Sequence, residues 1–124
     1  MGTQVILLDS NIIIYLSQGK LDVDDVFFSD DKYAVSIVTY MEIFSYAFKK
    51  KEEVQFLKEI FSLLKIIDLN GEIAEQVITL RKKRKLKLPD SIIVATAIIK
   101  NATLLTNDKQ LTTIEDVRTR LIPV

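Results

Sequence analysis

The chain contains no cysteine and no histidine. Without cysteine there is neither a disulfide framework nor a thiolate metal site. Without histidine the usual general base is missing, and with it Ser-His-Asp and Cys-His arrangements and every imidazole-ligated metal. Catalysis in such a chain is confined to carboxylates, hydroxyls, lysines and metals held through oxygen. No apolar stretch approaches the length needed to span a bilayer. Met1, Gly2, Thr3 and Gln4 also lack the basic start of a secretory leader. A cytoplasmic protein with no membrane partner is expected. Charge of either sign is not in excess: 17 basic residues balance 17 acidic ones, so no global field attracts a polyanion.

What is present suits one domain, residues 1–124, with 48% hydrophobic residues to form its core. Val5-Ile6-Leu7-Leu8 is wholly apolar, as a strand buried on both faces requires. Asp9, Ser10 and Asn11 offer capping side chains for a helix that Gly19 closes. A short helix over 22–28 and a short strand at Tyr33-Ala34-Val35 follow. The pattern then predicts one helix over 36–50 and an amphipathic one over 52–64. Ile66 to Leu69 is a strand, and Asn70-Gly71 turns it into a helix carrying Ile73, Val77 and Leu80. Pro89 opens a helix that is apolar almost all round and therefore buried. Thr103 to Thr106 and residues 117–122 complete the strands. Strands alternating with helices imply an α/β fold, a mainly parallel sheet flanked by helices. Ligands of such sheets bind beyond the carboxyl ends of the strands.

Four acids fall near those ends. Each has an ordinary structural explanation when taken singly. Asp9 can cap the helix after the first strand. Glu42 follows Thr39 at capping-box spacing, although Ser36 can equally cap that helix. Asp90 sits in a first helical turn, where the dipole favours an acid. Asp108 lies in an Asn-Asp turn. Taken together they mean more: Asp9, Asp90 and Asp108 should share one edge of the sheet, with Glu42 on a helix that starts there. Converging carboxylates repel unless a cation neutralises them. Ligation by oxygen alone suits Mg²⁺ or Mn²⁺, which can activate water for displacement at phosphorus without a histidine base.

The segments Leu8-Asp9-Ser10-Asn11, Ser36-Ile37-Val38-Thr39-Tyr40-Met41-Glu42, Leu88-Pro89-Asp90-Ser91-Ile92-Ile93-Val94-Ala95-Thr96-Ala97 and Leu105-Thr106-Asn107-Asp108 resemble, in order and spacing, the motifs of PIN-domain nucleases. The resemblance is strongest to VapC-type toxins of bacterial toxin–antitoxin pairs and covers nearly the whole chain. It implies a helix-sandwiched parallel sheet, dependence on Mg²⁺ or Mn²⁺, endonucleolytic cleavage of RNA, a homodimer and a small antitoxin partner. Carried over by position, the catalytic acids are Asp9, Glu42, Asp90 and Asp108, with Asp9 and Asp90 the principal metal ligands. Glu42 would act directly or through water. Asn11 and Thr106 would orient the carboxylates and water. Where many relatives carry a further acid and an aromatic, this chain has Gln110 and Leu111, so one ion is expected rather than two.

Residues 81–87 (Arg-Lys-Lys-Arg-Lys-Leu-Lys) place six cations among seven residues immediately before Asp90. A solvated helix end whose cations complement the dipole is one explanation. Phosphate contacts to an RNA strand through Arg81, Lys82, Lys83 and Arg84 are the other. Two rival functions remain at this level. A haloacid-dehalogenase-like phosphatase also has an Asp after its first strand, but it expects a second Asp where this chain has Asn11. A non-cleaving RNA-binding or partner-binding module could keep the fold, although all four acids are present.

Overall fold

The computed structural model describes residues 4–46 and 48–124. Ala47, inside the helix expected over 36–50, and the three N-terminal residues lie outside the described residues. The strands are β1 (Val5–Leu8), β2 (Lys32–Ser36), β3 (Lys65–Ile67), β4 (Thr103–Thr106) and β5 (Arg118–Leu121). The helices are α1 (Ser10–Ser17), α2 (Val23–Val26), α3 (Ile37–Phe44), α4 (Lys51–Ser62), α5 (Gly71–Lys83) and α6 (Leu88–Ile99). All strand pairings are parallel, in the order β3-β2-β1-β4-β5. The α/β expectation therefore holds. Among the described residues no helix is long and apolar enough to cross a membrane.

Side chains alternate between the two faces of the sheet, as strand geometry demands. Leu7, Ala34 and Leu104 join one core with Val77 and Leu80 of α5 and the buried run of α6. Ile6, Leu8, Tyr33, Val35 and Leu105 join the other with Ile12 and Ile13 of α1 and Leu57 and Ile60 of α4. Every residue from Ser91 to Ala97 is buried. The hydroxyls of Ser91 and Thr96 donate to carbonyls of their own helix, which lets polar residues enter that core.

Two helix ends follow from residues that tolerate a left-handed backbone. Gly19 (φ 72°) follows α1, with Lys20 N–H donating to Tyr15 C=O (2.9 Å) and Gly19 N–H to Leu16 C=O (3.2 Å). Asn101 (φ 52°) ends α6 with the same pair of bonds to Ala97 and Ile98. Two sequence expectations need correction. The helix expected over 36–50 stops at Phe44, where Ser45 caps it, and Lys50 starts α4 separately. Its remaining aromatics, Tyr46 and Phe48, instead stack on each other at 6.0 Å. The Thr39–Glu42 capping box does not form either: Ser36 caps α3, accepting from Val38 N–H at 3.1 Å.

Chain order reverses across β1. The chain passes outward from β1 through β2 to β3, then returns to place β4 and β5 on the other side. The crevice between the carboxyl ends of β1 and β4 is thus the switch point at which doubly wound sheets bind ligands.

Candidate active site

Asp9 is the residue after β1 and caps α1. It is 5% exposed. One oxygen accepts from Ser10 N–H (2.8 Å) and the other from Thr106 Oγ1 (2.7 Å). Thr106, the last residue of β4, also accepts from Asp108 N–H (3.0 Å), so one hydroxyl links the two acids across the switch point. Asp108 Oδ1 accepts from Gln110 N–H (2.9 Å), the turn-making role that its position suggested.

Burial raises the Asp9 pKa, the bonds from Thr106 and Ser10 pull it back, and the charges of Asp90 and Asp108 raise it again. Asp90 occupies the first turn of α6 and is half-buried. Its carboxyl is also raised, by burial first and Asp108 next, against a lowering by Lys87. Asp9, Asp90 and Asp108 are therefore close enough to feel one another's charge, each from the end of a different strand or helix. The structure brings these three to one edge of the sheet, as expected.

Glu42 is tied to Ser10, whose backbone N–H holds Asp9. Its Oε1 accepts from Ser10 Oγ at 2.9 Å, and Ser10 Oγ lies 2.8 Å from Thr39 Oγ1. Serine has one proton to give, so Thr39 must donate to Ser10 while Ser10 donates to Glu42. The fully buried Thr39 thereby steers an exposed acid one turn further along α3. In the sequence Ser10 and Thr39 look only like helix caps. Their spacing, Ser10 beside Asp9 and Thr39 three residues before Glu42, was the available signal. Asn11 stands exposed on α1, and no side-chain hydrogen bond joins it to these acids among the described residues. Here the orienting groups are Thr106 and Ser10.

Of the basic run, Arg81, Lys82 and Lys83 form the last turn of α5 and Arg84 its cap. Arg81 Nε donates to Leu86 C=O (3.3 Å), and Lys83 reaches Asp116 at 3.7 Å across solvent. Arg81, Arg84, Lys85 and Lys87 line an open hollow of about 520 Å³. Lys87 precedes α6 and acts on Asp90 directly, which ties the run to the acids.

The donor set fits a hard cation: it offers only oxygen, and the mutual repulsion of the carboxylates is what a divalent ion relieves. Among the described residues no three acidic side chains stand close enough to enclose an ion by themselves.

Residues 6–117 match the PIN domain family. The chain belongs to that family. It is 35% identical to a chain of a toxin–antitoxin complex from Klebsiella pneumoniae, over 94% of this chain and 99% of that one, with a TM-score of 0.78. It also superposes on a chain of VapBC2 from Rickettsia felis, solved with a promoter DNA fragment (TM-score 0.82, 24% identity, 96% and 99% covered). A chain of VapBC-1 from nontypeable Haemophilus influenzae gives 0.75 at 23% identity over 95% and 98%. The likeness to VapC-type toxins, first carried by four short motifs, thus extends to the whole fold. No curated protein matches the chain in sequence.

Proposed function

We propose that this PIN domain is a Mg²⁺- or Mn²⁺-dependent endoribonuclease, the toxin of a type II toxin–antitoxin pair, acting in the cytoplasm. The observation that carries this reading is the set of acids at the β1–β4 switch point, with Asp9 pinned between Ser10 and Thr106. Asp9 and Asp90 are the residues to hold the ion, with Asp108 completing the negative pocket. A bound divalent ion supplies Lewis acidity toward the phosphate and lowers the pKa of water.

The chain's own residues do the rest. Thr106 fixes the orientation of Asp9 and keeps Asp108 in register with it. Glu42 has one oxygen held by Ser10 and is exposed, so its other oxygen can accept the proton of the attacking water. As the water oxygen bonds phosphorus, the bond from phosphorus to the ribose oxygen breaks in line, and the departing oxygen takes a proton from solvent. Arg81, Lys82, Lys83 and Arg84 draw the strand's phosphates toward Asp90.

Exposed apolar groups support protein partners. Tyr40 and Met41 face solvent on α3, a surface suited to a twofold homodimer. A groove of about 320 Å³ between α1, α3 and α4, lined by Ile14, Ile43, Tyr46, Phe48 and Leu57, suits a segment of an antitoxin. The test of the reading is RNA cleavage with Mg²⁺, Mn²⁺ or chelator. Parent protein should cut only with metal, and Asp9→Asn and Asp90→Asn should not cut. Metal-independent cleavage, or undiminished cleavage by both variants, refutes it.

A further inference from the structure

A further concavity, of about 740 Å³, lies between the end of α1 and the end of β5 and is lined by Asn107 and Lys109, the residues on either side of Asp108. We infer that it is a nucleotide subsite: it holds a nucleoside of the RNA strand adjacent to the bond being cut, with Lys20 and Lys109 on its phosphate. This assignment rests on the ribonuclease reading above and names where that substrate lies.

Position is the first reason. Asn107 lines this cavity and stands between Thr106, which bonds Asp9, and Asp108. A strand whose phosphate meets the acids has its neighbouring nucleoside here.

Chemistry is the second. Lys20 and Lys109 supply cations, Tyr15 a flat aromatic ring, and Leu121 and Ile122 an apolar wall. Those are the components of single-strand recognition: cations along the backbone and an aromatic face for the base. An acidic peptide would satisfy the lysines but make no use of the ring.

The third reason is an amide left half-used. Asn107 Nδ2 donates to Tyr15 Oη at 3.2 Å, whereas its Oδ1 is buried and has no partner among the described residues. Interchanging the amide's oxygen and nitrogen leaves one group unpaired either way. Buried amide atoms are ordinarily paired, and an unpaired one calls for a partner. The edge of a nucleobase carries both donors and acceptors, and a turn of the Asn107 side chain presents the idle group to it.

Backbone geometry also prepares the site. The left-handed Gly19 lets Lys20 N–H bond Tyr15 C=O, which returns the chain over α1 and holds the Lys20 ammonium 5.4 Å from the Tyr15 ring centroid. Ring and cation thus form one unit, in which an entering base takes the ring face and the ammonium passes to its phosphate.

The test is fluorescence anisotropy of a fluorescein-labelled, mixed-sequence, single-stranded RNA dodecamer with the full chain, in chelator so that nothing is cut. Lys20→Gln with Lys109→Gln should lower the log–log salt slope by about 1.4, two single-strand phosphate contacts. Tyr15→Leu should weaken binding by about tenfold, and Tyr15→Phe, which keeps the ring, should restore it. With 4-thiouridine in the dodecamer, the crosslink should map to the peptide containing Tyr15. If the parent binds and cleaves RNA but the double variant keeps the parent slope, the subsite is overturned while the ribonuclease reading stands. If the parent neither binds nor cleaves RNA, both fall. A glutamate-rich dodecapeptide that binds the parent more tightly than RNA does, and loses affinity in the double variant, overturns the subsite in favour of a protein segment.

Discussion

Asp90→Asn separates a metal site from a helix cap most cleanly, because no hydrogen bond to the Asp90 carboxylate is present among the described residues to be lost with the charge. Asp9→Asn is less clean, since Asp9 accepts through both oxygens and asparagine has only one to offer. Asparagine at position 90 keeps the shape and forfeits the dipole attraction of a first-turn acid, about 0.3–1 kcal/mol. Burial and the neighbouring Asp108 push the other way and prevail, since the net effect of the surroundings raises the Asp90 pKa. In chelator at neutral pH the variant should therefore melt no lower than the parent. Added Mg²⁺ should reverse the order. At about 10 mM Mg²⁺ and a dissociation constant near 1 mM, the parent gains about 1.4 kcal/mol by mass action. For a chain of this size that is about 5 °C in melting temperature. The variant, short of one ligand, should gain little. Circular-dichroism melts of both proteins, with chelator and with Mg²⁺, read the effect. A variant that loses up to about 1 kcal/mol equally in both buffers means that Asp90 serves the dipole of α6 and nothing more.

Metal-free stability should fall as pH rises through the window above about 3.9. The raised Asp9 and Asp90 carboxyls bind protons there that the unfolded chain has released, so urea melts from pH 4 upward should show the decline, and Mg²⁺ should flatten it. Thr106→Val should cost about 2–3 kcal/mol in chemical denaturation, because it strands a buried Asp9 oxygen and the Asp108 amide together. Ser10→Ala should cost about 1–3 kcal/mol in the same assay, because it strands the buried Thr39 hydroxyl, and should slow RNA cleavage about tenfold by freeing Glu42. Replacing Arg81, Lys82, Lys83 and Arg84 by Gln should reduce the salt slope of RNA binding by about 0.7 for each true phosphate contact. An unchanged slope in anisotropy titrations would make the run a helix end only.

The strands and α6 were visible in sequence because their signal is local. Four consecutive apolar residues ending in Asp9, and a proline-opened apolar helix, leave few other ways to bury that surface. The end of α3 was not visible: no glycine or proline marks Phe44, and the aromatics beyond it keep a helical spacing while serving a different surface. At the site, three acids could be placed because each follows a strand or starts a helix. The hydroxyl chain from Thr39 through Ser10 to Glu42 could not, since it joins residues 29 and 32 positions apart whose one-dimensional surroundings look like caps. Asn11 illustrates the converse. The resemblance gave it an orienting role, but it stands exposed on α1, and Thr106, 97 residues from Asp9, makes the bond.

That separation has a consequence for how the protein is made. β1 begins near residue 5, yet one of its two neighbours, β4, begins at residue 103. At about 5–20 residues per second, β1 leaves the ribosome on the order of ten seconds before β4 can pair with it. During that interval one edge of Val5-Ile6-Leu7-Leu8 lacks its ladder partner, the kind of apolar edge that recruits other chains. Closing so long a loop is also slow, because its entropy is lost before the contacts are gained. The nascent chain therefore holds Asp9 without Thr106 until the 97-residue separation of the two positions has been spanned. The Asp9–Thr106 pair on which the acidic edge depends thus forms only when β4 docks beside β1, so the two strands of the switch point meet late in the chain's own synthesis order.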